Sequence, residues 1–263
     1  MSYQLSELKH KYGDNVHVLA NPFLTSRLAV LCQEKTTQPA INEMVSELYG
    51  HLITNVINRE FPQEAVEIKT RMASLSPLGI WRGQVIAPST KTVVVNVMRA
   101  GTLPSQVCYD QLNKTLDPDQ VRQDHLIVSR VVDESEQVTG SKIGAGKIGG
   151  SVDDAIVLFP DPMGATGSSL IEVISHYKDK IDGNARKFIA LNLMITPEYI
   201  RNVKAAHPEA IIYALRLDRA ASSERALATT PGHYWNEESG LSDKQYILPG
   251  GGGFGEIMNN AYC

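Results

Sequence analysis

The chain has 263 residues, of which 43% are hydrophobic and 21% are charged, and its formal net charge is −4 at pH 7. This balance is typical of a globular protein and excludes a disordered, collagen-like or coiled-coil chain. The charge offers no broad basic surface to a nucleic acid, and 3 scattered cysteines do not make a disulfide framework. No apolar run approaches the roughly 20 residues that span a bilayer, so we expect a cytoplasmic protein with no nucleic-acid or membrane partner.

We expect a single domain over residues 1–263, because the sequence has no internal repeat and no compositional break that would mark a linker. Residues 1–90 are predicted to form a helical N-terminal extension, and residues 91–263 the core. Within the extension, apolar residues recur at three- and four-residue spacing over 41–57, which predicts a helix with one apolar face. Such a face favours packing on a neighbouring element or on a second subunit.

From residue 91 onward, short apolar runs alternate with helical patterns. The predicted strands are 93–97, 126–132, 155–159, 188–195 and 211–215, and the predicted helices are 103–112, 168–181 and 197–206. This alternation predicts an α/β fold with a mainly parallel sheet and helices on both faces. Ligands of such folds bind at the carboxyl ends of the strands. The loops after Val97, Val132 and Phe159 are therefore the places where we expect a site.

The loop after Phe159 has the composition of a phosphate site. It reads Asp161-Pro-Met-Gly-Ala-Thr-Gly-Ser-Ser169 and leads into the predicted helix 168–181. Small residues, hydroxyls and a helix N-terminus offer N–H and O–H donors to a phosphate, while Asp161 can accept hydrogen bonds from vicinal sugar hydroxyls. The loop predicts a sugar phosphate as ligand. The alternative is an ordinary capping loop in which Ser168 caps the helix.

Two glycine clusters, 140–150 and 250–255, stand out. In the first cluster, the glycines are spaced as in a P-loop and as in a dinucleotide-binding loop. Ile148, however, stands where a P-loop needs Ser or Thr, and a polar stretch precedes the glycines where either motif needs an apolar strand. Both motifs are therefore excluded. A surface hairpin or a flap between two strands remains for 140–150.

Four segments resemble motifs of the uracil phosphoribosyltransferases, which are type I phosphoribosyltransferases, and they occur along the chain in the same order as in that family. Asp161-Pro-Met-Gly-Ala-Thr-Gly-Ser-Ser169 is similar to the family's D-P-M-x-A-T-G-G-S loop, which binds phosphoribosyl pyrophosphate (PRPP). Asn96-Val-Met-Arg99-Ala-Gly101 resembles I-L-R-A-G, and Ala206-His-Pro208 resembles A-H-P. Finally, Gly240-Leu-Ser-Asp-Lys-Gln-Tyr246-Ile-Leu-Pro-Gly250 resembles G-L-N-x-x-G-Y-I-x-P-G.

The resemblance implies transfer of the phosphoribosyl group of PRPP to uracil, giving UMP and pyrophosphate. Arg99 and Arg130 would hold the pyrophosphate, and Asp161 the ribose hydroxyls. The other PRPP-binding residues implied are Pro162, Met163, Gly164, Ala165, Thr166, Gly167, Ser168 and Ser169. Ala165, Tyr246, Ile247, Gly252, Gly253 and Phe254 would bind the base. Mg²⁺ is expected to arrive with PRPP, with no protein side chain predicted as its ligand, and the family position at 140–150 carries a flap or arm.

The tail departs from the family pattern at one acidic position. The family has P-G-L-G-D-x-G-D-[RK], whereas this chain has Pro249-Gly-Gly-Gly-Gly253-Phe-Gly-Glu256-Ile257, so a glycine replaces an aspartate. Two alternatives therefore stay open: a non-catalytic protein that binds PRPP or UMP on the same fold, and a phosphoribosyltransferase for another base. We also expect a homodimer or a larger homo-oligomer.

Overall fold

The computed structural model describes residues 3–132 and 138–262, without the side chains of 130–132, 138 and 139. In chain order, the elements of the first half are β1 (Val16–Val18), α1 (Pro22–Leu31), α2 (Ala40–Glu60), β2 (Gln63–Lys69), β3 (Ile80–Ile86), β4 (Thr92–Met98), α3 (Thr102–Leu112) and β5 (Val121–Val132). Those that follow are β6 (Val138–Lys147), β7 (Ile156–Pro160), β8 (Met163–Gly164), α4 (Ser168–Lys180), β9 (Lys187–Ile195), α5 (Pro197–Ala206), β10 (Ile211–Leu217), α6 (Glu224–Leu227) and α7 (Phe254–Ile257).

The main sheet has the strand order β1-β10-β9-β7-β4-β5-β6. Its neighbouring strands are parallel from β1 to β5, and β6 runs antiparallel along β5 at the edge. The short strand β8 pairs with the end of β9. The predicted mainly parallel sheet is therefore confirmed, and each strand predicted in the core has a counterpart within a few residues of its predicted bounds.

Alternate residues of the central strands pack into two different cores. On β4, Val94 belongs to the core formed with α2 and α3, whereas Val93 and Val95 belong to the core formed with α4 and α5. β7 alternates in the same way, with Leu158 on the first side and Phe159 on the second. Because both faces of a parallel sheet are covered by helices, its strands are apolar at every position.

The prediction that residues 1–90 form a helical extension is wrong in part. The described residues of this segment contain α1 and α2, but also β1, which joins the main sheet beside β10, and the antiparallel hairpin β2–β3. Strand β1 spans only three residues, and β2 is exposed at six of its seven positions. Neither strand shows the apolar run that identifies a buried strand in a sequence.

The glycine-rich segment 140–150 lies largely within β6, which pairs antiparallel with β5. The segment predicted as a surface hairpin or a flap between two strands is therefore mostly a strand itself, the edge strand of the main sheet, and residues 133–137, which join it to β5, fall outside the described residues. Farther along, residues 219–238 pack on the N-terminal segment, where the Tyr12 hydroxyl donates to Glu238. Arg219 Nη1 donates to the same carboxylate at 3.0 Å.

Across the part of the chain that the structure describes, no helix has both the length and the apolar character needed to cross a membrane.

Candidate active site

The candidate site lies where two neighbouring strands end. β4 and β7 run parallel, with Val94 opposite Leu158, so their carboxyl ends lie at the same edge of the sheet. Arg99 follows β4 directly, and Asp161 follows β7 directly. The loops of adjacent parallel strands therefore bring a cation and a carboxylate to the edge where such folds bind their ligands.

Asp161 is held through both its backbone and its carboxylate. Its carbonyl accepts from Asn192 Nδ2 at 2.7 Å, and its Oδ1 accepts from the amide of Met163 at 3.1 Å. Beneath this turn, the Tyr199 hydroxyl donates to Asn192 Oδ1 at 3.0 Å. Burial, and then the charge of Asp161, raise the pKa of Tyr199, so this phenol stays a protonated donor. Buried side chains thus fix the start of the loop.

The loop between β7 and α4 turns three successive carbonyls toward α5. Thr196 donates from its amide to the carbonyl of Gly164 at 3.0 Å and from its hydroxyl to that of Ala165 at 2.6 Å. Asn202 Nδ2 donates to the carbonyl of Thr166 at 2.9 Å. Because a trans peptide directs its N–H opposite to its C=O, the amides that follow Ala165 and Thr166 point away from α5. They are available to an anion on that side.

Helix α4 begins without a side-chain cap. Its N-cap is Gly167, with a φ of 85° and no capping side chain. A Cβ at this position would lie 2.9 Å from Val203 Cγ2, so both backbone and space require glycine. The alternative in which Ser168 caps the helix is therefore wrong, since Ser168 is the first helical residue. The Ser168 amide donates to Thr166 Oγ1 at 3.4 Å, and a helix of 13 residues carries partial positive charge at its N-terminus, which suits an anion.

Four hydroxyl groups meet at this helix N-terminus. Thr166 Oγ1 lies 3.1 Å from Ser168 Oγ. Ser141, on the edge strand β6, places its Oγ 3.1 Å from the hydroxyl oxygens of both Ser168 and Ser169. Ser141 was not among the residues predicted from the sequence, since no local motif contains it.

Arg99 is surrounded by the C-terminal segment. Its Nη1 donates to the carbonyl of Ala261 at 2.9 Å, and its Nη2 lies 3.6 Å from Glu256 Oε1. Both side chains are 37% exposed. Arg99 also lines a cavity of about 280 Å³, whose other walls include Asn42, Thr102 and residues of β5. The guanidinium thus lies at the surface, within reach of a ligand, with a carboxylate beside it.

The glycine at position 253 makes room for that carboxylate. A Cβ built on Gly253 would lie 2.2 Å from Glu256 Oε2 and 3.1 Å from its Cδ. The Glu256 side chain therefore occupies the space into which any side chain at 253 would project. Because this carboxylate is the end of a flexible side chain that is 37% exposed, a side chain at position 253 would displace it from its place beside Arg99.

The second glycine cluster is fixed by an ion pair between a half-buried arginine and a buried aspartate. Arg216 and Asp218, at the end of β10, pair through Nη2 and Oδ2 at 2.7 Å. Asp218 Oδ2 accepts from the amide of Gly250 at 3.0 Å, and Arg216 donates to its carbonyl at 2.8 Å. Sequence reasoning missed this pair. The available signal was the change from apolar to charged residues where strand 211–215 was predicted to end.

The residues predicted to bind the base differ in exposure. Tyr246 is 58% exposed, Ile247 is buried, and Phe254 is 1% exposed within the core under α2 and α3. Gly252 adopts a φ of 87°, as expected for a glycine loop. The Phe254 ring is a core side chain in this structure, and its predicted contact with a base stays a prediction.

Two further expectations concern Arg130 and a metal. Arg130 lies in β5 opposite Ser141, but its side chain is outside the described part of the structure. Among the described residues, no group of three or more His, Cys, Asp or Glu side chains could hold a metal ion. Asp161 and Glu256 each offer carboxylate oxygens, the donor type that Mg²⁺ prefers. They fit a metal that takes most of its ligands from a substrate.

Comparison with known proteins identifies the family. The family model for "Uracil phosphoribosyltransferase" matches residues 18–233. The chain belongs to this family. Curated uracil phosphoribosyltransferases align over almost their whole length: that of Caldanaerobacter subterraneus subsp. tengcongensis is 26% identical over 93% of this chain and 97% of its own. That of Thermococcus kodakarensis is 26% identical over 90% of this chain and 86% of its own.

A solved structure agrees with the fold. The AQ2163 protein from Aquifex aeolicus superposes with a TM-score of 0.69 at 18% identity, covering 93% of this chain and 97% of that one. The predicted α/β fold with a mainly parallel sheet is thereby confirmed, and the family model confirms membership of the uracil phosphoribosyltransferase family.

Proposed function

We propose that the protein is an enzyme that transfers the phosphoribosyl group of PRPP to uracil, giving UMP and pyrophosphate. The observation that carries the proposal is the loop joining Asp161 to the N-terminus of α4, in a chain that belongs to the uracil phosphoribosyltransferase family. This loop presents a carboxylate to sugar hydroxyls and N–H donors to a phosphate. No described residue favours another base or a purely regulatory role.

The proposed roles follow the order of the groups along PRPP. Asp161 accepts hydrogen bonds from the ribose hydroxyls, and the amides and hydroxyls of the loop bind the 5′-phosphate. Arg99 and Arg130 bind the pyrophosphate. The remaining loop residues, Pro162, Met163, Gly164, Ala165, Thr166, Gly167, Ser168 and Ser169, shape this subsite. Ala165, Tyr246, Ile247, Gly252, Gly253 and Phe254 form the base subsite, with backbone groups of the glycine loop reading the carbonyls and N–H of uracil.

The reaction breaks the bond between C1 of the ribose and the pyrophosphate oxygen, which keeps the electron pair, and it forms a bond from C1 to a uracil nitrogen, whose proton passes to the pyrophosphate or to solvent. Positive charge develops at C1 while negative charge develops on the pyrophosphate. Arg99 stabilises the leaving group, and Asp161 holds the ribose so that C1 faces the base. Mg²⁺ bound to PRPP would neutralise part of the pyrophosphate charge.

The test is to incubate the protein with PRPP, Mg²⁺ and uracil, and to measure pyrophosphate and UMP. We expect product from wild-type protein and a loss on the order of 100-fold in kcat/KM for Asp161→Asn. Asp154→Asn is the matched control. Asp154 precedes the amino end of β7, whereas Asp161 follows its carboxyl end, and the Asp154 carboxylate pairs with Arg186 on the surface.

The outcomes separate the alternatives. Product with cytosine or a purine but not with uracil would point to another base. Binding of PRPP or UMP by a folded protein, without release of pyrophosphate from any base, would overturn the enzymatic proposal and favour a regulatory protein.

We further propose that the protein works as a homodimer in the cytoplasm. The hairpin β2–β3 carries exposed apolar side chains near its tip, including Leu75 at 77% and Leu78 at 90% exposure. An isolated hairpin is marginally stable in water, and a second copy of this chain is the simplest partner that would cover it. The free thiols of Cys32 and Cys108 support a reducing compartment.

A further inference from the structure

The edge strand β6 brings one hydroxyl to the phosphate loop. Ser141 Oγ lies 3.1 Å from Ser168 Oγ and 3.1 Å from Ser169 Oγ, although 27 and 28 residues separate these serines in the sequence. All three side chains are half-buried. The contact joins the flap strand to the first turn of α4, which lacks a side-chain cap.

These hydroxyls can exchange their present partners for an anion. Each serine hydroxyl carries one rotatable donor and two acceptor lone pairs, and in the structure the Ser141 hydroxyl lies within hydrogen-bond distance of those of Ser168 and Ser169. Phosphate oxygens are acceptors only, so a bound phosphate would turn the O–H groups toward itself. Hydrogen bonds to an ionised acceptor are roughly twice as strong as those between neutral groups.

We propose that Ser141 is a further substrate-binding residue, whose hydroxyl joins those of Ser168 and Ser169 around the 5′-phosphate of PRPP and UMP. This inference rests on the function proposed above for the same site. The Ser141 hydroxyl contacts the first turn of α4, which is the part of the loop that the proposed function assigns to the 5′-phosphate.

The position of Ser141 links the two phosphate subsites. Its backbone pairs with that of Arg130 on β5. A 5′-phosphate that binds Ser141 therefore holds the strand pair on which Arg130 lies.

The experiment compares ligands that carry only one of the two phosphate groups. Isothermal titration of Ser141→Ala with ribose 5-phosphate is expected to show about a tenfold rise in Kd, the loss of one charge-assisted hydrogen bond. The Kd for pyrophosphate should stay within about twofold of wild type, the usual reach of an indirect effect, and the KM for PRPP should rise more than kcat falls. Ser141→Thr, which keeps the hydroxyl, should restore binding.

Ser129→Ala is the matched control, because Ser129 lies on the paired strand β5, opposite Lys142, and is exposed. Ser141→Cys, which keeps the size but donates weakly, gives the same readout if the alanine variant does not fold. Wild-type affinity for ribose 5-phosphate in a folded Ser141→Ala or Ser141→Cys protein would overturn the role of Ser141 alone. The role of Ser141 would also be overturned if Ser141→Ala lost affinity for pyrophosphate as strongly as for ribose 5-phosphate, or if Ser141→Thr failed to restore binding of ribose 5-phosphate. Wild-type protein that binds neither ribose 5-phosphate nor PRPP would overturn the proposed function as well.

Discussion

Among single residues, Gly253 and Glu256 bear most directly on activity. The family pattern places an aspartate where Gly253 stands, and the sequence alone presents this as a lost carboxylate. The structure instead places the Glu256 carboxylate against Gly253 and 3.6 Å from Arg99. A negative charge is therefore kept beside the predicted pyrophosphate cation, supplied from the first turn of α7.

Glu256→Gln is expected to lower kcat/KM for PRPP about tenfold, because Arg99 loses the charge that orients it. Gly253→Asp should also lower it, since the new side chain meets Glu256. The double variant Gly253→Asp with Glu256→Gln should recover part of the loss, as the acid moves back to position 253. Initial rates of pyrophosphate release measure all three.

The exposed acid Glu34 provides the control, and Glu34→Gln should behave as wild type. A Glu256→Gln protein with unchanged kcat/KM would show that the carboxylate is not needed near Arg99. A double variant weaker than both single variants would contradict the exchange of positions.

A second residue-scale prediction concerns pH. Glu60, at the end of α2, accepts from Lys187 Nζ at 2.8 Å and from the Tyr213 hydroxyl at 2.6 Å. Burial opposes ionisation of this carboxyl, but these hydrogen bonds outweigh it and lower its pKa below 4.5. Because the pKa of Glu60 is lowered, its ionised carboxylate stabilises the folded protein above pH 4.5. This stabilisation is lost as the pH falls through the pKa that Glu60 has in the folded state.

Glu60→Gln should therefore reduce the free energy of unfolding at pH 7 by roughly 2 kcal/mol. The difference from wild type should shrink as the pH falls below 4.5. Urea unfolding at several pH values measures it. A difference that is constant across this range would mean that the charge of Glu60 contributes nothing.

Among the elements, the buried strands and their helices were predictable from the sequence, whereas exposed strands were not. β4, β7 and β9 are apolar at nearly every position because helices cover both faces. β2 has no such run, since six of its positions face solvent. The Asp161 loop was predictable because one continuous segment holds the motif. Ser141, Arg216 and Asp218 contact the site through tertiary structure, which no local pattern encodes.

The junction between the loop and α4 gives an element-scale prediction. Gly167→Ala forces a side chain onto a φ of 85° and within 2.9 Å of Val203, at a cost of roughly 1–2 kcal/mol. Relief of this strain would rotate the first N–H groups of α4 away from the phosphate. We expect a lower melting temperature and a higher Kd for ribose 5-phosphate.

Gly50→Ala is the control for this variant, because Gly50 lies inside α2 with nothing within 4 Å of its missing Cβ. It should stabilise the protein by up to about 1 kcal/mol and leave binding unchanged. Wild-type affinity and stability in Gly167→Ala would show that the left-handed start of α4 is dispensable.

For the molecule as a whole, the hairpin β2–β3 determines the expected assembly. Leu78→Asp places a charge at a tip residue that is 90% exposed, so it should leave the folded monomer intact but disrupt a dimer that buries the tip. Sedimentation velocity should show a dimer for wild type and a monomer for the variant. Leu227→Asp, at an apolar residue that is 44% exposed on α6, should remain dimeric. A wild-type monomer, or a dimeric Leu78→Asp protein, would contradict the proposal.

The pairing of β1 with β10 has a consequence for synthesis of the chain. Val16 lies opposite Ile212, and Tyr12 contacts Glu238, so β1 is synthesised well before the strand with which it pairs. At about 5–20 residues per second, the N-terminal segment waits on the order of ten to forty seconds for its partner. During that interval the backbone of β1 lacks the strand with which it pairs in the folded sheet, so β1 can take its place in the sheet only after β10 has been made.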